Sequence, residues 1–217
     1  MGTITRGFAN NITTSGVLLP ASLNNNSIAN VTAYNASVAT GGMVLLSSQT
    51  ASNSASISFT TGIDSTYKEY QFWFINIHPR TDTATFDFNL STDGGSNYNV
   101  TKTTTIFRAL HRENDAETAF TYLSGNDLAQ STSFQNLNLG TGSGADENLA
   151  GLLHLFNPAS TTYVKHFISN TNAYRDFDAS QNAFVAGYGN TTSAVNAIQF
   201  KMSSGNFDGT ILMYGIN

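Results

Sequence analysis

Cysteine is absent from this 217-residue chain. Its absence excludes disulfides, zinc sites with thiolate ligands and thiol nucleophiles. Charged residues are scarce too, at 11% of the sequence. The net charge is −5, and lysine and arginine residues do not cluster anywhere in the sequence. Because binding to a phosphate backbone needs a basic surface, we expect no nucleic-acid partner.

Long apolar runs are missing as well. The longest runs, such as 72–75 and 211–214, are short, whereas a membrane-spanning helix needs about 20 apolar residues. The N-terminal residues also lack the basic and apolar regions of a secretion signal. We therefore expect no membrane insertion.

The chain is rich instead in Asn, Ser, Thr and Gly, and its 15 Phe and 9 Tyr supply the material for a core. Aromatic and β-branched residues favour pleated, half-buried strands. Strong helix formers never accumulate in a long block. Only 114–123 carries helix signals, with Asn114 as N-cap, and a loop followed by a short strand fits that segment equally well.

Side chains alternate between apolar and polar from residue 54 onward. The alternation is clear at 57–59, 84–90 and 198–202, and it predicts half-buried strands. With Gly/Asn/Ser turns between them, these segments predict an all-β, jelly-roll-like β-sandwich of about 8–10 antiparallel strands. We expect five large side chains to be buried in its core: Phe74, Phe86, Phe88, Phe200 and Tyr214.

Residues 1–50 differ from the remainder. They contain a single charged residue, Arg6, and their apolar side chains follow neither the period of a strand nor that of a helix. We interpret 1–50 as an extended N-terminal arm, closing with a strand at 43–46, and 51–217 as one β-sandwich domain. The segment 72–75 is apolar on both faces, so we expect its second face to be covered by the arm or by another subunit.

Catalytic signatures are not apparent. The four histidines are far apart in the sequence and lack metal-ligand spacing. Carboxylates in loops are the usual Ca²⁺ ligands of a sandwich, which makes Asp176 and Asp178 the candidates for a structural Ca²⁺ site. Trp73 and several tyrosines are candidates for a sugar-stacking platform, although most such residues serve the core. We expect no other cofactor, and we expect the chain not to be an enzyme.

Both ends of the sequence carry a resemblance. Residues 198–216 contain the turn Ser-Ser-Gly-Asn and end in Leu-Met-Tyr-Gly-Ile, and residues 3–11 read Thr-Ile-Thr-Arg-Gly-Phe-Ala-Asn-Asn. These stretches resemble the ends of small β-rich structural proteins of marine tailed bacteriophages. The resemblance implies a virion component exposed on the particle, as capsid decoration or as a head or tail fibre. It also implies other virion proteins as partners and a homo-oligomer, of which a trimer is one form.

Two other functions remain open at this point. The first alternative is a carbohydrate-binding β-sandwich module that recognises a host surface glycan. The second alternative is an all-β glycan hydrolase. It ranks below the other two functions, because glycoside hydrolysis needs a pair of carboxylates and no spacing in the sequence singles out such a pair.

Overall fold

The computed structural model describes residues 42–216, which form twelve β-strands. No helix occurs within that range, and hence none that is long and apolar enough to cross a membrane. In chain order the strands are β1 (Met43–Ser54), β2 (Ser56–Phe59), β3 (Glu69–Pro79), β4 (Phe86–Ser91), β5 (Lys102–Arg112), β6 (Thr118–Tyr122), β7 (Gln135–Asn136), β8 (Leu149–Phe156), β9 (Lys165–Arg175), β10 (Ala179–Gly189), β11 (Ala197–Met202) and β12 (Phe207–Ile216).

These strands form two antiparallel sheets that pack as a β-sandwich. The larger sheet has eight strands in the order β1-β12-β3-β8-β9-β10-β5-β6, and the smaller has four in the order β2-β11-β4-β7. The predicted all-β sandwich of antiparallel strands is confirmed. The strands outnumber the prediction, and three of them, β2, β6 and β7, have only two to five residues each. The jelly-roll connectivity stays a prediction.

The first strand begins where the strand at 43–46 was predicted, but it continues to Ser54. β1 begins at Met43 and pairs with β12 at the edge of the larger sheet. Thr50, the last residue of the predicted arm, lies inside β1 opposite Thr210. Residues 43–50 therefore belong to the sheet. The remaining part of the predicted arm, 1–41, lies outside the described residues.

Aromatic rings from both sheets meet in the core. Phe74 from the larger sheet lies 5.1 Å, centroid to centroid, from Phe86 of the smaller sheet, and Phe86 stacks on Phe200 at 5.7 Å. The predicted burial of Phe74, Phe86, Phe88 and Phe200 is confirmed, since each is at most 2% exposed.

The predicted burial of Tyr214 is wrong. In the second half of β12 the inward positions are Ile211, Met213 and Gly215. The ring of Tyr67 lies over Gly215, where an added Cβ would come within 2.4 Å of it. Because Gly215 occupies the inward position beneath this ring, Tyr214 points outward and is only partly buried.

β4 was predicted to be half-buried, and this too is wrong, since all six of its residues are buried. Its polar face is covered by loops instead of water. Asn89 donates from Nδ2 to the carbonyls of Tyr98 and Thr132, at 2.7 and 2.9 Å. Asp87 accepts a 2.8 Å hydrogen bond from Asn136. The covering loops thus satisfy the polar groups that they bury.

The structure resolves the ambiguous segment 114–123. These residues form a turn and then the short strand β6, which was the second of the two alternatives. Further along the chain, the strand β7 is limited to Gln135–Asn136. Beyond β7, a side chain replaces the backbone as the hydrogen-bond partner of β4. The backbone N–H of Phe86 donates a 2.6 Å hydrogen bond to Asn138 Oδ1.

Candidate functional site

The outer face of the larger sheet collects the exposed apolar side chains of the described residues. Eight of the nine large hydrophobic residues that are exposed lie on it, and the ninth, Tyr163, is in the loop before β9. Strand registers place all eight at outward positions. They are Met43 and Leu45 of β1, Trp73 and Ile75 of β3, Phe120 and Tyr122 of β6, Ile168 of β9 and Phe184 of β10. We call this surface the outer face.

One aromatic cluster lies where β1, β12 and β3 are neighbours. The rings of Trp73 and Tyr214 are 5.5 Å apart at 55°, and Leu45 is directly opposite Tyr214. The indole N–H of Trp73 donates to Gln71 Oε1 at 3.1 Å. Trp73 is 38% exposed and Leu45 53%. The expected cover over the outer side of 72–75 is therefore not supplied by residues 42–216.

A second aromatic cluster lies on β10, β5 and β6. Phe107 stacks on Phe184 with 5.0 Å between centroids and 14° between planes, and it meets Phe120 at 5.3 Å. Phe120 remains 75% exposed. Tyr122 directs its hydroxyl to Asp127 Oδ2 at 2.6 Å.

Positive charge is excluded from this face. All five lysines and arginines in the strands of the larger sheet occupy inward positions, which are Lys102, Arg108, Arg112, Lys165 and Arg175. Acidic groups on the described outward positions are Glu69 and, at the far end of β12, Asp208, which pairs with Arg80 at 2.6 Å. The central part of the outer face therefore carries little charge, and its apolar clusters lie among uncharged polar residues such as Asn170 and Asn182.

Glu69 contacts His154 Nδ1 on the neighbouring strand β8. Burial raises the pKa of Glu69, but hydrogen bonds from Gln71 and His154 outweigh that effect and hold its pKa below the usual value. His154 thus has a carboxylate partner.

A shallow groove crosses the same face between β9 and β5. Its walls are formed by Ile168, His166 and Tyr188, with Ala186 and two threonines, Thr103 and Thr105, beside them. The rings of His166 and Tyr188 are 6.0 Å apart. The groove combines an apolar floor with several hydroxyl groups, as small-ligand sites commonly do.

The two Ca²⁺ candidates lie in the turn between β9 and β10. Asp176 pairs with the guanidinium of Arg175 at 3.3 Å, and Asp178 accepts a 3.2 Å hydrogen bond from the Tyr174 hydroxyl. Within residues 42–216 no three His, Asp or Glu side chains converge in a way that could hold a metal ion. A Ca²⁺ site at Asp176 and Asp178 would need further oxygen ligands, and it stays a prediction.

The sequence analysis singled out Trp73 but missed other residues of the outer face. The strand register alone brings these residues to one face, because they belong to four different strands: Tyr214, Phe107, Ile168 and Phe184. The signal available was the apolar stretch 211–216, which has no alternation and so indicated contact on both faces. Comparison with family models, with curated proteins and with solved structures finds no match.

Proposed function

We propose that this chain is a non-enzymatic structural protein of a tailed-phage virion, exposed on the particle and assembling through its N-terminal arm and the outer face of the larger sheet. The observation that carries the proposal is the concentration of exposed apolar side chains on that face. The resemblance of residues 3–11 and 198–216 to phage structural proteins supplies the virion context.

The composition of the outer face favours a protein partner. Monomeric soluble proteins rarely expose a large contiguous apolar patch. The cores of interfaces are enriched in aromatic residues and depleted in lysine and acidic residues. Trp73, Tyr214, Phe107 and Phe184 on a face without outward lysine or arginine fit that description.

The dimensions are adequate for such an interface. Eight strands spaced about 4.8 Å apart give a face about 38 Å across. A standard interface buries roughly 800 Å² on each partner, which a strip of this width and about 21 Å of strand length supplies. A second copy of the chain, as in a homo-oligomer, or another virion protein would therefore find enough area here.

The test is a charge placed on the outer face. Ile168→Lys puts an ammonium group at a position that is 51% exposed, so the fold should tolerate the substitution. A contact between subunits at this position should be weakened, because the charge would have to be buried there. Tyr163→Lys is the matched control, because Tyr163 is 70% exposed but lies off the face. Light scattering should show that Ile168→Lys lowers the mass of the assembly and that Tyr163→Lys does not. Equal assembly by both variants would contradict the proposed contact surface.

The virion context needs a separate measurement. Mass spectrometry of purified virions should detect the chain among the particle proteins, at a copy number consistent with a repeated component. Its absence from particles of the phage that encodes it would overturn the virion part of the proposal, whatever the oligomeric state in solution.

The groove beside Tyr188 favours one second candidate, a carbohydrate-binding module for a host surface glycan. A sugar ring could pack on the aromatic wall while Thr103, Thr105 and His166 make hydrogen bonds. A glycan array distinguishes this function. Specific binding that Tyr188→Ala removes, with Tyr163→Ala as the control, would support it, and no binding above background would exclude it.

A further inference from the structure

Two lysines are fully buried on either side of Gly189. Gly189 is on β10. Lys102 of β5 lies opposite it on one side, and Lys165 of β9 lies opposite it on the other. Both are 0% exposed. In the described part of the chain neither amine has a carboxylate within ion-pair distance. An unpaired buried ammonium is costly, so burial favours the neutral amine.

The two amines differ in what they contact. Lys165 Nζ donates to two backbone carbonyls, those of Tyr163 at 2.6 Å and Thr191 at 3.1 Å. Lys102 Nζ donates to the carbonyl of Val100 at 3.0 Å, and it also contacts the side-chain amide oxygen of Asn89. Asn89 is itself 0% exposed. Lys102 thus has a carboxamide, enclosed with it, as a neighbour.

The orientation of this carboxamide is fixed by its other hydrogen bonds. Nδ2 of Asn89 donates to the carbonyls of Tyr98 and Thr132, which leaves the oxygen directed at Lys102. That oxygen also accepts a 2.8 Å hydrogen bond from the backbone N–H of Leu90. The carbonyl carbon lies one C=O bond, about 1.2 Å, from the oxygen that Nζ contacts. An amine that contacts this oxygen therefore also lies close to that carbon.

We propose that Lys102 and Asn89 react with each other to form an intramolecular isopeptide bond. The lone pair of Nζ attacks Cγ of Asn89, and the charge that develops on Oδ1 is stabilised by the Leu90 N–H. A proton passes from Nζ to Nδ2, the Cγ–Nδ2 bond breaks, and Nδ2 leaves as ammonia. The product is an amide between the two side chains. Burial lowers the pKa of Lys102 to about 7, which supplies the unprotonated amine that the attack needs.

The bond would connect the two layers of the sandwich. Asn89 is on β4 of the smaller sheet and Lys102 is on β5 of the larger one. It would also close the loop that contains Gly94 and Gly95, both of which have positive φ. A chain without cysteine would thereby gain a covalent crosslink that reducing agents do not break.

The decisive measurement is the intact mass of the full chain. We expect it to lie below the mass calculated from the sequence by one ammonia molecule. Trypsin should fail to cleave after Lys102 and should release 81–108 as a single peptide that carries the deficit. A full sequence mass, with normal cleavage after Lys102, would overturn the proposal.

Variants separate this bond from other losses of ammonia. Lys102→Met should restore the sequence mass, whereas a succinimide at Asn89 would persist in that variant and would overturn the proposal. Lys165→Met is the matched control, because it removes a buried lysine whose hydrogen bonds go to backbone carbonyls instead of a side-chain amide, and it should keep the deficit. Asn89→Asp should instead lose one water molecule relative to its own sequence mass. If a variant fails to fold, the mass and digest of the unaltered chain still decide.

Discussion

Replacing Phe86 by alanine tests the packing on which the whole sandwich depends. Phe86 is 0% exposed and comes from the smaller sheet. It contacts Phe74 of the larger sheet at 5.1 Å, Phe200 at 5.7 Å and Phe207 at 5.8 Å between ring centroids. The substitution therefore removes a ring that touches both layers.

The expected loss follows from the cavity and the ring contacts. Truncating a buried Phe to Ala costs about 3–5 kcal/mol. Three aromatic partners surround the site, and each aromatic pair contributes about 0.5–1.5 kcal/mol beyond its buried area. We therefore expect Phe86→Ala to fall in the upper half of that range, near 4–5 kcal/mol. Phe184→Ala is the matched control, because that ring is 39% exposed on the outer face, and we expect a loss below about 1 kcal/mol for it in the monomer.

Guanidinium unfolding measures both variants. Far-ultraviolet circular dichroism reports the loss of the sheets, and the fluorescence of Trp73 reports unfolding at the outer face. Coincident transitions by the two methods would justify a two-state treatment. A dilution series keeps any assembly from adding to the apparent stability. A loss below about 1 kcal/mol for Phe86→Ala would refute the reasoning, because the ring would then not be packed between the sheets.

Three further perturbations have expected outcomes. Burial raises the pKa of Asp87 from 3.8 to about 6, so the folded chain holds a proton that the unfolded chain releases. Stability should therefore fall by about 3 kcal/mol as pH rises through that interval, and Asp87→Asn should flatten the fall in guanidinium midpoints. Deleting 1–42, so that the chain begins at Met43, should leave a folded β domain by circular dichroism that no longer assembles by light scattering; unchanged assembly would remove the arm from the proposal. A zinc chelator should leave the melting temperature unchanged, whereas a drop with EGTA would support Ca²⁺ at Asp176 and Asp178.

The strands could be predicted where alternation and turn chemistry agree. The strands β11 and β12 are the clearest case, since Gly205 in the Ser-Ser-Gly-Asn turn between them has φ of 68° and β11 alternates as the sequence indicated. Local signals sufficed for the two strands and the turn. They did not show that the chain crosses there from the smaller sheet to the larger one, so the two strands do not pair as a hairpin.

Assignments of faces failed where contacts come from distant residues. Tyr214 lies in a stretch that is apolar throughout, and its outward position depends on Tyr67 covering Gly215. The polar face of β4 looked solvent-exposed by period two alone. The loop 92–101 and the segment 131–138, which includes β7, cover it, and those contacts leave no periodic signal in the sequence of β4.

The outer face could not be predicted because β9 and β10 mix polar and apolar side chains on both of their faces. Phe167 and Val185 point inward, but Ser169, Thr171 and Gln181 do so as well and are 0% exposed. Thr171, for example, donates to the carbonyl of Leu137 at 2.6 Å, in a segment that is largely irregular. A polar side chain at this inward position supplies a hydrogen-bond donor to irregular backbone, which has no neighbouring strand to supply one.

Ile168 and Phe184 point outward in the same two strands, at 51% and 39% exposure. Replacing these residues by polar ones would lower the stability of the isolated domain only slightly, since each side chain buries only part of its apolar surface there. Their apolar character is therefore not explained by folding of the isolated domain. It is explained if a partner covers the outer face, which is the reason we place the assembly contact there rather than on the smaller sheet.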